Sequence, residues 1–268
     1  MEYQGSTALI TGASSGIGAA FADALAARGT DLVLVARSTD QLEAVAATAR
    51  ERHGVRAEVI TADLTAPDAA GALRAEVDRR GLSVDILVNN AGFGSAGPFQ
   101  SVTADRSRRE VALDVAAVVD LSHAFLPDMT ERRRGGVINL SSTAAFQPAP
   151  NFAVYAAAKS FVLSFSQALW AECRPHGVEV LAVCPGPVET NFFDVLGTEQ
   201  VKVGQILGPE QVVRTALRAF DRGRAVVIPG ARNAVLPVLQ RFVPRRLVLS
   251  TATRMLKGVT AETVDANA

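Results

Sequence analysis

The chain has 268 residues, with 27 Lys+Arg against 27 Asp+Glu for a formal net charge of zero, and is 49% hydrophobic and 20% charged. A balanced charge gives no electrostatic hold on nucleic acid, so no nucleic-acid partner is expected, and this apolar content belongs to a chain with a core, not to a disordered tail. Cys173 and Cys184 are too few for a disulfide framework and lack zinc spacing, and Met1-Glu2-Tyr3-Gln4 has no basic segment ahead of an apolar one, so a cytoplasmic protein is expected.

Thr7-Ala8-Leu9-Ile10 reads as the first strand, followed by a glycine-rich turn and an Ala-rich helix to Arg28. Leu32-Val33-Leu34-Val35 is a fully apolar second strand, as a parallel strand buried on both faces should be. Helix 39–52, strand 55–62, helix 66–80 and strand 84–88 follow, then a long helix over roughly 103–133, strand 137–140, helix 153–173, strand 178–183 and a seventh strand 225–228. Such alternation predicts an α/β fold, a single doubly wound parallel sheet of about seven strands with helices on both faces. No linker divides residues 1–231, and 232–268 reads as a helical tail broken at Pro237 and Pro244, packed on the same domain. The longest charge-free stretch, 135–158, is interrupted by Asn, Ser, Gln and Pro residues and does not read as a membrane span.

Between the first strand and first helix stands Thr11-Gly12-Ala13-Ser14-Ser15-Gly16-Ile17-Gly18. Glycines admit positive φ and let backbone N–H groups approach a pyrophosphate, the helix N-terminus adds partial positive charge, and Ser14 and Ser15 can donate hydroxyls. The spacing is G-x-x-x-G-x-G, not the commoner G-x-G-x-x-G. At the end of the second strand, Ala36-Arg37-Ser38 offers a guanidinium and no acid, which suits a ribose 2′-phosphate, so NADP(H) is preferred over NAD(H).

The chain has only two tyrosines, yet Tyr155 and Lys159 stand four apart, sharing a helix face. With so few of each, chance gives about 0.02 such pairs. Bringing a phenol from an ordinary pKa of about 10 to neutral pH takes roughly 4 kcal/mol of differential stabilisation, which a desolvated ammonium together with a nicotinamide cation can supply. Tyr155 would then exchange a proton with a carbonyl oxygen that Ser142, at the end of the fifth strand, also holds.

These motifs, in this order over roughly residues 5–230, resemble the short-chain dehydrogenases/reductases. The resemblance implies a Rossmann-like fold in which Thr11 to Gly18, including Gly12, Ser14, Ser15, Gly16, Ile17 and Gly18, is the glycine motif, and Asp63 with Leu64 meets the adenine. It makes Asn89-Asn90-Ala91-Gly92 the stretch that steadies the sheet beside the cofactor, and Pro185, Gly186, Val188 and Thr190 the loop on the nicotinamide carboxamide. It makes Ser142, Tyr155 and Lys159 catalytic, with Tyr155 as acid or base and Lys159 both lowering its pKa and binding ribose.

One position departs from the family. Where an Asn usually anchors a water in a proton relay, this chain has Asp114, on the stripe Val111, Asp114, Val118, Leu121 and Phe125. We expect Asp114 to keep the relay role through water and to raise the lysine pKa; the alternative is a helix bulge that turns it to solvent. A degenerate, non-catalytic NADP-binding regulatory protein and a peripheral membrane reductase that modifies lipids are the competing functions.

The segment Asn191-Phe192-Phe193-Asp194-Val195-Leu196 falls where the family carries its substrate lid, and with Phe93, Phe146 and Phe152 it favours a hydrophobic ketone, acyl or sterol-like carbonyl or alcohol. Cys184 reads as a buried apolar residue, and His53, His123 and His176 lack ligand spacing, so no metal is expected. The tail carries Arg232, Arg241, Arg245, Arg246, Arg254 and Lys257 among apolar residues. Packing over the pocket or a subunit interface is preferred there to contact with an anionic membrane. The family resemblance implies a homodimer or homotetramer.

Overall fold

The apolar runs become seven parallel strands: β1 (Thr7–Thr11), β2 (Asp31–Ala36), β3 (Ala57–Thr61), β4 (Ile86–Asn89), β5 (Gly135–Leu140), β6 (Val178–Val183) and β7 (Val226–Val227). In the computed structural model, which describes residues 2–192, 204–239 and 243–256, they order as β3-β2-β1-β4-β5-β6-β7. The helices are α1 (Gly16–Ala26), α2 (Thr39–His53), α3 (Ala69–Arg79), α4 (Ala104–Val111), α5 (Ala117–Glu131), α6 (Ala153–Cys173), α7 (Pro209–Phe220), α8 (Ala231–Leu239) and α9 (Arg245–Met255).

Side chains alternate across each strand, so the sheet has two buried faces. Ala8, Ile10, Leu32 and Leu34 point to one, covered by Phe21 and Leu25 of α1, Leu42 of α2 and Val213 and Phe220 of α7. Leu9, Val33, Val35 and Leu87 point to the other, covered by Val77 of α3, Leu121 and Phe125 of α5 and Cys173 of α6. The doubly wound architecture is therefore as expected.

Helix α7 is absent from the expectations above, although Pro209 at its first turn and the run Val212, Val213, Ala216, Leu217, Phe220 mark a helix start and an apolar face. Pro237 does not break the tail: it lies inside α8, while Pro244 is the N-cap of α9. The long helix forms, but not as one α-helix: a π-helical segment, Ala112–Ala116, joins α4 to α5. The wider turn shifts the face by one residue, so Val111, expected on the buried stripe, is 46% exposed and Glu110 takes the inward place.

Where β4, β5 and α6 meet, the core is polar. Asn89 Nδ2 donates to Asn139 Oδ1 at 2.9 Å, Asn139 Nδ2 donates to Ser166 Oγ at 2.9 Å, and Ser166 donates to the Val162 carbonyl at 2.6 Å. This chain fixes the level of the two central strands, whose ends carry the site. Replacing Asn139 by Leu keeps the volume but leaves the Asn89 amide unpaired; the variant should lose about 1–3 kcal/mol, read as a lower urea midpoint at unchanged slope.

Candidate active site

Strand β1 pairs with β2 on one side and β4 on the other, and the connections leave it toward opposite faces, opening a crevice beyond the carboxyl ends of the strands. Thr11 and Asn90 close its floor. The N–H groups of Asn90 and Ala91 both donate to Thr11 Oγ1 at 3.0 Å, and Asn90 Nδ2 donates to the carbonyls of Thr11 at 2.9 Å and Gly12 at 3.1 Å. That stitching explains the glycine spacing. A Cβ on Gly18 would collide with the Gly12 carbonyl oxygen and stand 2.6 Å from Asn90 Nδ2; one on Gly12, where φ is +64°, would stand 2.9 Å from Ala91 Cα.

Gly16 opens α1 beneath Thr190 of the loop after β6, and the helix starts with no side-chain cap on Ser15 and no acid in its first turn. An uncapped helix N-terminus flanked by Ser14 and Ser15 leaves backbone donors for an anion, and these residues fit the pyrophosphate of a dinucleotide. Ile17 packs against the core from the same turn. The loop itself is anchored by a residue the sequence reading missed, Asn233 of α8. Its side chain accepts from Gln205 N–H at 2.8 Å and donates to the Gln205 and Pro229 carbonyls, and it lies where a Cβ on Gly186 would fall. The carbonyl of Pro185 accepts from Thr143 N–H at 2.9 Å, and Val188 bridges to Leu207.

At the far end of the crevice, Arg37 is exposed just beyond β2, and Asp63 is exposed just beyond β3. Asp63 accepts from the Thr65 N–H and hydroxyl, and these bonds, helped by the guanidinium groups of Arg37 and Arg109, hold its carboxyl below the ordinary range. The Leu64 side chain is buried among the core residues, which leaves its backbone as the part that can meet an adenine.

The chemical end lies where β4, β5, α6 and the π segment converge. Lys159 is 6% exposed, its Nζ 3.1 Å from the Leu140 carbonyl and 2.5 Å from Asp114 Oδ1. Asp114 is fully buried and its other oxygen accepts from Phe93 N–H at 3.1 Å. The bulge is thus real but aims Asp114 inward, and the expected water-mediated contact is a direct ion pair instead. Gly92 permits it, since a Cβ there would sit 2.5 Å from Asp114 Oδ1 and 3.1 Å from Lys159 Nζ. Burial pushes the Asp114 carboxyl up despite Lys159, whereas for Lys159 burial is outweighed by Asp114 together with Tyr155 and Glu110, which favour the ammonium, so Asp114 acts to raise the lysine as expected.

Tyr155 lies beside this pair, with Lys159 Nζ 5.6 Å from its ring centre. Lys159 and the Ser142 hydroxyl pull its pKa down, but burial is the larger effect and Asp114 opposes the lysine, so the phenol is held above its ordinary value. In the chain by itself, then, the ammonium does not bring Tyr155 toward neutrality. Ser142 accepts from Ala144 N–H at 3.1 Å, which fixes its hydroxyl oxygen at the end of β5.

Around Tyr155 the wall is apolar: Phe152 meets the ring edge-on at 4.9 Å, Phe192 is tilted at 5.5 Å, and Ala96, Ala149 and Leu256 complete the cluster. Of the three other phenylalanines expected near the site, only Phe152 joins it; Phe146 packs against Leu163 and Cys184, and Phe93 lies under the Arg106 guanidinium. Leu256 brings the tail to the pocket, its carbonyl accepting from Asn151 Nδ2 at 2.9 Å. The lid residues Phe193, Asp194, Val195 and Leu196, and Arg241 and Lys257 of the tail, lie outside the described residues. Cys184 is buried and its thiol is pushed up to about 12, which suits an inert apolar residue.

The fold and these residues place the chain in a family, and comparison with known proteins bears this out. The short chain dehydrogenase family profile matches residues 6–200. The 17-beta-hydroxysteroid dehydrogenase type 3 of Mus musculus is 30% identical over 258 residues, covering 96% of this chain and 82% of that protein. The very-long-chain 3-oxoacyl-CoA reductase of Bos taurus is 32% identical over 222 residues, covering 81% and 69%. A solved short-chain dehydrogenase from Sphingobium yanoikuyae in complex with NADPH superposes with a TM-score of 0.80 at 35% identity, covering 98% of each chain. The chain belongs to the short-chain dehydrogenase family and is an oxidoreductase acting on CH–OH or C=O groups.

Glu110 was singled out by nothing in the sequence, where it ends a charged run, yet it is fully buried. Burial, with Asp114 adding to it, pushes its carboxyl up to about 7. A raised folded-state value means that the folded chain holds the proton, so stability is full below the ordinary 4.5 and is lost as pH rises through about 7. Glu110→Gln removes that loss: the stability of the variant relative to wild type should rise by about 3 kcal/mol between about pH 4 and pH 8, measured as urea midpoints.

Proposed function

We propose that the chain is an NADP(H)-dependent reductase of a hydrophobic ketone, of the bulky cyclic or 3-oxoacyl type. The observation that carries this reading is a buried Tyr155 that has Ser142 and Lys159 beside it and an apolar wall that includes Phe152, Phe192, Ala96, Ala149 and Leu256. Such a wall excludes water and gains from apolar contact, while a sugar would leave its hydroxyls unpaired there. The steroid and 3-oxoacyl-CoA relatives support this substrate class, and Arg37 with no acid at positions 36–38 supports the 2′-phosphate.

Bound NADPH would supply hydride chemistry at its nicotinamide. The chain's own residues then do three things. Ser142 and Tyr155 hold the carbonyl oxygen, Tyr155 gives it a proton, and Lys159 carries the positive charge that makes the resulting phenolate tolerable. Leu256 makes the tail part of the pocket wall in this reading and not a lipid anchor. We place the protein in the cytoplasm, where the unpaired Cys173 and Cys184 stay reduced.

The test is NADPH consumption with a panel of bulky ketones and 3-oxoacyl thioesters, run beside NADH. Turnover should require NADPH, and Tyr155→Phe should lower it by a factor of about 100 to 10,000 while leaving NADPH binding intact. Turnover retained by Tyr155→Phe, or a preference for NADH, would count against the reading.

The assembly follows from a second face. Val111, Val115, Val154, Ala157 and Phe161 line an apolar groove on the outer side of α4, the π segment and α6, with Val111 46% and Phe161 41% exposed. We infer that a second copy covers it, making a homodimer. Phe161→Glu should then sediment as a monomer, whereas an unchanged mass would exclude this face.

A further inference from the structure

Glu110 is the one buried residue of α4, and both of its carboxylate oxygens lack a hydrogen-bond partner. Native chains seldom leave a buried carboxyl in this condition without a use for it. Its surroundings are charged on several sides. One turn back, Arg106 donates to Ser95 Oγ at 3.0 Å and to the Gly94 carbonyl at 3.1 Å. From the loop after β4, Ser95 brings an N–H and a hydroxyl close enough to favour the carboxylate without aligning on it. One turn on is Asp114, in contact with Lys159, and from α6 the field of Glu110 reaches both Lys159 and Tyr155.

We propose that Glu110 is a positioning residue for proton transfer, a buried acid that acts through Asp114 and Lys159 to set the charge Tyr155 meets. This rests on Tyr155 being the proton donor of the proposed reductase. With Glu110 protonated, the buried group of Glu110, Asp114 and Lys159 is neutral. Once Glu110 ionises, two carboxylates share one ammonium, the group carries one net negative charge, and the phenolate of Tyr155 is disfavoured. Tyr155 therefore keeps its proton further into the alkaline range, as a donor to a carbonyl needs. The deprotonated Tyr155 that the reverse oxidation requires is correspondingly suppressed. The side chain occupies this place because the π segment turns position 110 inward, where a regular helix would bury Val111.

The experiment compares wild type with Glu110→Gln and Glu110→Met, which keep the length of the side chain and remove its charge. Two readouts are taken: the pH dependence of kcat for alcohol oxidation, and carbon NMR of ring-labelled tyrosine in the full chain. Tyr3 and Tyr155 are the only tyrosines, so Tyr155→Phe assigns the second signal. Both variants should shift the alkaline midpoint of Tyr155 downward, by up to about one pH unit, because a negative charge that opposes the phenolate is removed. An unmoved midpoint in the NMR titration overturns the proposal, even if kcat falls by a constant factor at every pH, because a packing role would do that. The NMR arm needs no substrate, so it decides the role of Glu110 even if no ketone is turned over and the functional reading fails.

Discussion

A lysine buried to 6% exposure must have its charge met, and the arrangement of the site follows from that demand on Lys159. The Leu140 carbonyl at the end of β5 meets one side of the ammonium and Asp114 meets another, at 2.5 Å. For Asp114 to reach it, the long helix must open into a π turn, and the neighbouring loop must pass without a side chain at Gly92. For α6 to hold Lys159 at this height, Ser141 donates to the Lys159 carbonyl at 2.8 Å and Asn139 holds Ser166 further along the same helix. Removing the charge would leave three of these features with no purpose.

The second constraint is the close approach of the two halves of the sheet at β1 and β4. Here one hydroxyl, Thr11 Oγ1, receives two backbone N–H groups and itself donates to the Val88 carbonyl at 3.3 Å. The crevice floor is therefore braced where a phosphate cradle has to be preformed, and Asn233 ties the described part of the loop beyond β6 from outside the sheet. The cofactor end and the chemical end of the site share this floor: Asn90 braces the glycine turn while Gly92, two residues on, admits the ion pair.

The strands were legible because parallel strands buried on both faces read as unbroken apolar runs, and α6 was legible to the residue because Tyr155 and Lys159 fall on its apolar period. What stayed hidden shares a physical cause: it depends on register and not on residue type. A π turn is one extra residue in a helical run and leaves no mark in composition, so Val111 and Glu110 exchange places unseen. Glu110 also sits at the end of Asp105-Arg106-Ser107-Arg108-Arg109, where a charge is ordinary. Asn233 stands as one polar residue in the tail, since its bonds to Gln205 cross 28 residues of chain that periodicity does not connect. Helix α7 is a different case: its apolar spacing was there to be read.

An acid at position 114 changes what the lysine can do. An amide would let the whole positive charge of Lys159 act on Tyr155, whereas the carboxylate cancels part of it at close range, and the phenol stays above its ordinary value. A tyrosine in this condition enters the reaction protonated, which suits an acid and handicaps a base. Asp114 favours the charged form of Lys159, so the ammonium that stabilises the phenolate is held in place when the proton leaves. The departure from the family pattern at Asp114 therefore does not disable the site. It moves the balance of the Tyr155 proton toward donation, the direction the proposed reduction needs.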